Sequence, residues 1–317
     1  MATRHEKNIQ RKLRVKERNT AIAKALRAEP PRSISTRGLR TLQRVLGLPP
    51  DPFLLLEEVQ EDNRESDTLD QGASSKAGHS NLTQVQFPES AARAMNEPSI
   101  PAARDFKTSQ QPEPLDVIFI AIDFEYSHYS PKTGRIRLRE VGISMLDTRD
   151  IRHHNNHLKD VISTRHYRTV TDTKSFLFGE SIDVLQDELV LVLKGLFFLE
   201  DMSPKQTRNI ILVGHGLSFE IKVLKGLGID LNLASSVIEI FDTEFLGYEV
   251  FGKDFKCSLS HVVQRTGILG GSFHNAGNDA NFSLRAMFLL ACHRYDTLKT
   301  NIPLQTRLET YRKLARF

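Results

Sequence analysis

Three stretches of this chain carry acids and histidine at spacings that can do chemistry. Asp123 and Glu125 stand two apart at the end of an apolar run, residues 116–125, that reads as a buried strand. Side chains at i and i+2 of a strand share a face, so the two carboxylates can ligate one site together. Gly214-His-Gly-Leu-Ser-Phe-Glu220 follows a second apolar run and opens a helix, which puts Glu220 on its first turns. His274-Asn-Ala-Gly-Asn-Asp-Ala280 sets a histidine on a Gly/Asn loop ahead of Asp279, at the start of an apolar helix. The helix dipole favours an ionised Asp there, and the loop lets the imidazole swing toward whatever the Asp binds. Each stretch taken alone has a plain structural reading. Asp242-Thr-Glu244 is a second D-x-E in the same chain, Glu220 is an ordinary amphipathic-helix acid, and Asp279 is an acid of a first helical turn.

The elements that must position these residues follow from periodicity. Strands are predicted over 116–125, 138–147, 162–170, 209–215 and 237–241, with a turn at 131–134 between the first two. Helices are predicted over 181–199, 218–227 (stopping at Gly228), 258–266 and 279–293, and Asp242 is placed to cap a further one. Three strands in a meander, feeding two strand–helix units, imply a mixed sheet with helices on its faces.

The order of the three motifs carries more than each motif alone. D-x-E on the first strand, G-H-x-x-x-F-acid after the fourth and H-x-A-x-x-D-A opening a late helix resembles the DEDDh exonuclease family of the ribonuclease H-like superfamily. The resemblance runs from residue 116 to the C-terminal helix. The His-Asn-Ala-Gly-Asn-Asp-Ala form is similar to a fungal branch of DEDDh-like C-terminal domains, which includes an Argonaute-interacting exonuclease of RNA silencing. The resemblance implies an α/β fold, a ribonuclease H-like mixed five-stranded sheet flanked by helices. It implies a metal-dependent 3′→5′ exonuclease acting on single-stranded RNA or DNA, RNA favoured. It also implies two divalent cations, Mg²⁺ or Mn²⁺, held by Asp123, Glu125, Glu220 and Asp279, with His274 as general base. Oxygen ligands suit those cations, and a neutral imidazole takes a proton near neutral pH. Phe124, Tyr126 and His215, beside the acids of the first two motifs, are the candidate substrate contacts.

Two positions depart from the family pattern. Glu220 stands where the family carries Asp, and Gly216 where it carries Asn. A catalytically weakened, nucleic-acid-binding or scaffold protein is therefore the alternative reading. Tyr126 is open to base stacking or to a place in the core. His153, His154 and His157 read as a solvated loop, and His166 and Arg168 as an exposed sheet face or a phosphate contact. No G-x-G-x-x-G loop and no Gly-Lys-Ser/Thr is present, which disfavours a nucleotide-triphosphate hydrolase.

Charge divides the 317 residues. Residues 1–50 carry 13 Lys and Arg against 3 Asp and Glu, and residues 51–115 carry 5 against 12. The first segment reads as a basic, partly helical arm, able to attract nucleic acid or a protein partner. An apolar piece at 39–56 is suited to docking on a partner or on the main domain. Residues 51–114 read as an acidic, disordered linker, too poor in aliphatics to offset ordering entropy. Residues 115–317 read as the exonuclease-like domain. No apolar run reaches the ~18 residues of a membrane helix, and residues 1–30 lack a secretory h-region, so a cytoplasmic or nuclear location is expected. Cys257 and Cys292 form no CxxC pair, which excludes a thiolate zinc site as an organising feature.

Overall fold

The computed structural model describes residues 38–49, 112–129, 136–153, 158–197, 208–232, 234, 236–297 and 300–316. The basic stretch 1–37 and the acidic stretch 50–111 lie outside the described residues, as do His154 and His157.

A short helix α1 (Leu39–Val45) precedes the sheet. The sheet then begins with two long strands, β1 (Ile118–Tyr129) and β2 (Ile136–Asp147), paired antiparallel. A short helix α2 (Thr148–His153) leads toward β3 (Ser163–Arg168), antiparallel to β2. A three-residue strand, β4 (Ser181–Asp183), runs parallel to β3 at the edge. Then follow α3 (Gln186–Leu196), β5 (Ile210–Gly214), α4 (Ser218–Gly226), β6 (Val237–Asp242) and α5 (Thr243–Phe251). Three more helices close the chain: α6 (Leu259–Thr266), α7 (Ala276–Cys292) and α8 (Ile302–Arg316). The sheet order is β4-β3-β2-β1-β5-β6, with β5 parallel to β1 and β6 parallel to β5.

The mixed, helix-flanked sheet is the expected architecture, but it has six strands where five were expected. The sixth, β4, lies in a stretch assigned to the start of a helix. Three largely exposed residues are too few to show an alternation, and its pairing to β3 exists only in the folded chain. Helix α8 was also not expected. Leu304, Leu308, Tyr311 and Leu314 are its buried face, at helical spacing.

Alternation along β1 sorts its residues between two cores. Ile118, Ile120, Ile122 and Phe124 face a layer made by α3 and α4, through Leu189, Leu193, Val223 and Leu224. Phe119 faces the other way and meets Phe288 of α7 edge-on, with ring centroids 5.5 Å apart. Asp123 and Glu125 continue that second face. All 17 residues of α7 are buried, because the sheet lies on one side and α8, α6 and α5 lie on the others.

The start of α7 is pressed onto the sheet at two glycines. A Cβ at Gly142 would stand 1.8 Å from the Ala276 carbonyl oxygen, and one at Gly277 would stand 2.7 Å from His166 Cβ. No side chain other than hydrogen allows that approach, which sets the depth at which Asp279 enters the sheet.

Helix α1 belongs to the same folded unit as residues 112–316. Leu39, Leu42, Val45, Leu46 and Leu48 are buried, Tyr311 Oη donates to Leu46 O (2.8 Å), and Leu39 N donates to Glu249 Oε2 (2.5 Å). Of the two dockings open in the sequence, the structure has the one on the main domain. Among the described residues, no helix is long and apolar enough to cross a membrane.

Candidate active site

The site forms where three distant segments meet. Strand β1 supplies Asp123 and Glu125 on its α7-facing side. They lie in the middle of the strand, where β1 has passed beyond its pairing with β5. The second segment is the turn after β5. There Asp242, at the end of β6, accepts from Gly216 N and Leu217 N (2.8 Å each) and caps α5 by accepting from Glu244 N (2.9 Å). One buried carboxylate thus ties two strand ends together, and Gly216 takes the left-handed conformation (φ +70°) that the turn needs. The turn launches α4, whose first turn carries the buried Glu220. The third segment is the entry to α7. Asn275 caps the helix by accepting from Asn278 N (3.1 Å), and Asp279 follows in its first turn. The helix begins three residues earlier than the sequence pattern suggested, because the cap is Asn275.

The carboxylates act on one another. Burial, first, and then the charges of Glu220, Asp279, Glu125 and Glu140 push Asp123 well above the usual carboxylate range. Of those charges Glu220 acts most strongly. Burial raises Glu125 to about 7, reinforced by Glu140 and Asp279 and opposed by Arg139 and Lys174. Burial likewise raises Asp279 to about 6, against the pull of the His274 backbone N–H and Lys174. Carboxylates raised in this way by burial and like charge mark a site where positive charge is favoured.

Histidine 274 stands at the rim. Its Nδ1 is 4.0 Å from Glu125 Oε1, and its side chain is 80% exposed. The residue has φ +64°, an uncommon conformation for a non-glycine, held by its own N–H donating to Asp279 Oδ2 (2.8 Å). Ligand atoms of Glu125, His274 and Asp279 all lie within 4.8 Å of one another. Asp279 is 7% exposed, and its other oxygen, Oδ1, is buried without a hydrogen-bond partner among the described residues. A buried carboxylate oxygen with open lone pairs among four further acids suits a hard divalent cation, so this donor set fits the metals that the motifs imply.

The three candidate substrate contacts are placed differently. Phe124 is 5% exposed and lies on the α3/α4 face, opposite Asp123 and Glu125. The structure therefore does not bring its side chain to the acids. Tyr126 packs along that same core and stacks on Phe219, centroids 4.4 Å apart. His215 follows β5 at the sheet end that carries the acids, with Nδ1 2.9 Å from Thr243 Oγ1. That hydroxyl donates its proton to Gly214 O, so it accepts from His215 Nδ1–H.

One acid was missed from the sequence. Glu140 of β2 lies directly across from Glu125, is 3% exposed, and its Oε2 is 2.9 Å from His166 Nε2. His166 is wholly buried rather than on an exposed sheet face, and Arg168 is paired to Asp183 (2.6 Å). The sequence held a signal for Glu140. It alternates with Val141, Ile143 and Met145 on a strand whose other face is Gly142 and Ser144. Its register opposite Glu125 is a tertiary fact.

A family model described as the DNA polymerase III subunit epsilon-like, C-terminal domain (DEDDh_C) matches residues 118–290. An uncharacterized nucleolar protein of Schizosaccharomyces pombe is 29% identical over 174 residues, covering 53% of this chain and 67% of that protein. An uncharacterized protein of Saccharomyces cerevisiae is 25% identical over 206 residues, covering 56% of this chain and 42% of that protein.

Proposed function

The chain belongs to the DEDDh_C family of DNA polymerase III subunit epsilon-like C-terminal domains, and from that premise we propose that it is a 3′→5′ exonuclease on single-stranded nucleic acid, RNA favoured. The observation that carries the reading is the meeting of carboxylates from β1, α4 and the entry of α7 beside one exposed imidazole.

Asp123, Glu125, Glu220 and Asp279 would hold two divalent cations, Mg²⁺ or Mn²⁺. Bound there, they would supply positive charge to the attacking and leaving oxygens at phosphorus. The chain's own residues do the rest. Nδ1 of His274 is turned toward Glu125, which leaves Nε2 to take the proton of the attacking water. The positive charge of the two cations would offset that of the acids holding them, so that an anionic substrate is not repelled. The choice of RNA rests on the resemblance. A nuclear location is supported by the name of the S. pombe relative, a nucleolar protein.

The purified full chain with Mn²⁺ should shorten a 5′-labelled single strand from its 3′ end, RNA faster than DNA. Asp123→Asn should abolish the reaction. Shortening from the other end, activity retained in Asp123→Asn, or no degradation with either cation would refute the proposal.

A second reading, nucleic-acid binding without turnover, is favoured by Glu220 in the family's Asp position. The charge of Glu220 acting on Asp123, and the burial of Glu220 on the first turn of α4, weigh against it.

A further inference from the structure

The cluster of acids faces a substrate that is itself an anion, so the cations nearest to it matter. Two act on Glu125, namely Arg139 and Lys174, and Lys174 also acts on Asp279. Each donates to a main-chain carbonyl: Lys174 Nζ to Phe273 O (2.5 Å) and Arg139 Nη2 to Asp172 O (2.6 Å). Among the described residues, neither is within ion-pair distance of a carboxylate. A neutral carbonyl fixes the position of a cation without neutralising it, so both charges remain available to an incoming anion.

Lys174 is exposed, yet it is not held by its own chain alone. It rides on the connection between β3 and β4, which is strapped to the entry of α7 by two buried asparagines. Asn275 Nδ2 donates to Lys174 O (3.0 Å) and lies 3.3 Å from Glu140 Oε2. Asn278 accepts from Leu177 N and donates to Ser175 O (2.8 Å each). Phe176 packs against the His166 ring, with centroids 5.2 Å apart. The same two asparagines shape the turn that carries His274, through Asn278 Nδ2 to Ser272 O (3.0 Å) and the Asn275 cap. Lysine 174 and the imidazole are thereby fixed to one frame, and the ammonium sits one residue from His274. Immobilised in this way, the ammonium gives up less freedom when it meets a phosphate.

We propose that Lys174, with Arg139 beside it, binds the phosphodiester backbone of the strand whose 3′ end enters the acid cluster. The proposal rests on the exonuclease reading for the direction of the strand and on the hydrogen-bonded frame for the position of the charge.

The test uses the full chain carrying Asp123→Asn, so that binding is read without turnover. The ligand is a fluorescein-labelled single-stranded oligouridylate with a free 3′-hydroxyl, and Kd is measured by anisotropy across a salt series. Lys174→Gln keeps a donor for Phe273 O and removes the charge. It should weaken binding roughly tenfold at low salt and reduce the slope of log Kd against log salt by about 0.7, one phosphate contact on a single strand. Lys174→Arg should restore both, and Lys313→Gln on the exposed side of α8 should change neither. A Lys174→Gln protein with the parent's affinity and slope overturns the proposal, as does an effect that Lys313→Gln reproduces. Degradation by the chain with Asp123 intact is followed in parallel. Normal degradation with an unmoved slope sinks the phosphate contact alone, and a moved slope without any degradation sinks the exonuclease reading alone.

Discussion

At the scale of the residue, the site is governed by charge crowding. Free Asp and Glu titrate near 3.8 and 4.5, whereas Asp279 is raised to about 6 and Glu125 to about 7, and burial and neighbouring carboxylates push Asp123 well above its free value too. A folded-state pKa raised above the unfolded one favours the fold below the unfolded value. That contribution disappears as pH rises through the folded value. The metal-free protein should therefore lose melting temperature between about pH 4 and pH 7 on account of these groups, and Mn²⁺ should restore it at the upper end. Thermal scans in chelator, with and without Mn²⁺, would show this, and Asp279→Asn should flatten the slope. A slope unchanged by Asp279→Asn would place its origin elsewhere. Glu220 makes a second prediction at this scale. Its charge acts on Asp123, and Glu220→Asp draws the carboxylate back by roughly 1 Å, a displacement that should cost about 10²-fold in turnover. A rise in turnover would mean that the longer side chain weakens the site.

At the scale of the element, the entry to α7 decides the geometry. A helix packs on a sheet at a distance set by the side chains between them, yet here the backbone of Ala276 lies against Gly142. Gly142→Ala would drive a methyl group into a carbonyl that cannot turn aside, displacing the helix start together with His274 and Asp279. The expected result is a loss of about 3 kcal/mol or more in denaturant unfolding, together with loss of metal-dependent stabilisation. A variant that keeps the wild-type midpoint would show that α7 is free to shift. The polar contacts at the same place follow from the same closeness. Glu140, His166, Asn275 and Asn278 are buried in the helix–sheet layer, and each is hydrogen-bonded. Truncating one of them would strand its partners in that layer.

At the scale of the whole molecule, the sheet separates its two ends. The acids gather about the middle of β1, just past its pairing with β5. At its amino end an ion network fixes the start of the same strand: Arg208 bonds Asp116 (2.8 Å) and Asp147 (2.7 Å), and Arg149 bonds Asp116 (2.7 Å). Hydrogen bonds from the Arg149 and Arg208 guanidiniums, with their charge, hold Asp116, two residues before β1, below the usual carboxylate range, the reverse of what happens to Asp123 on the strand. Helix α1 closes the layer behind α7. Five of its apolar side chains and those of the turn after it are buried there, so removing residues 1–49 should cost about 3 kcal/mol or more after ordering entropy is allowed for. Thermal unfolding of the truncated chain would measure it. An unchanged midpoint would show that the contact adds nothing to stability.

The sequence alone determined the parts that depend on neighbours in the chain. Apolar runs in 116–125 and 209–215 marked the strands, 3.6-residue spacing marked the helices, and Asp242 was legible as a cap because a cap acts within three residues. The order of acids and histidine was enough to point to Asp123, Glu125, Glu220, Asp279 and His274. Tertiary structure alone decided what depends on approach across the fold. It set Glu140 opposite Glu125 by strand register, paired β4 through an edge too short to show a pattern, and brought Lys174 to the His274 turn through two asparagines a hundred residues on. Periodicity records which face a side chain takes, whereas register and the depth of helix packing arise only when separate segments are in contact.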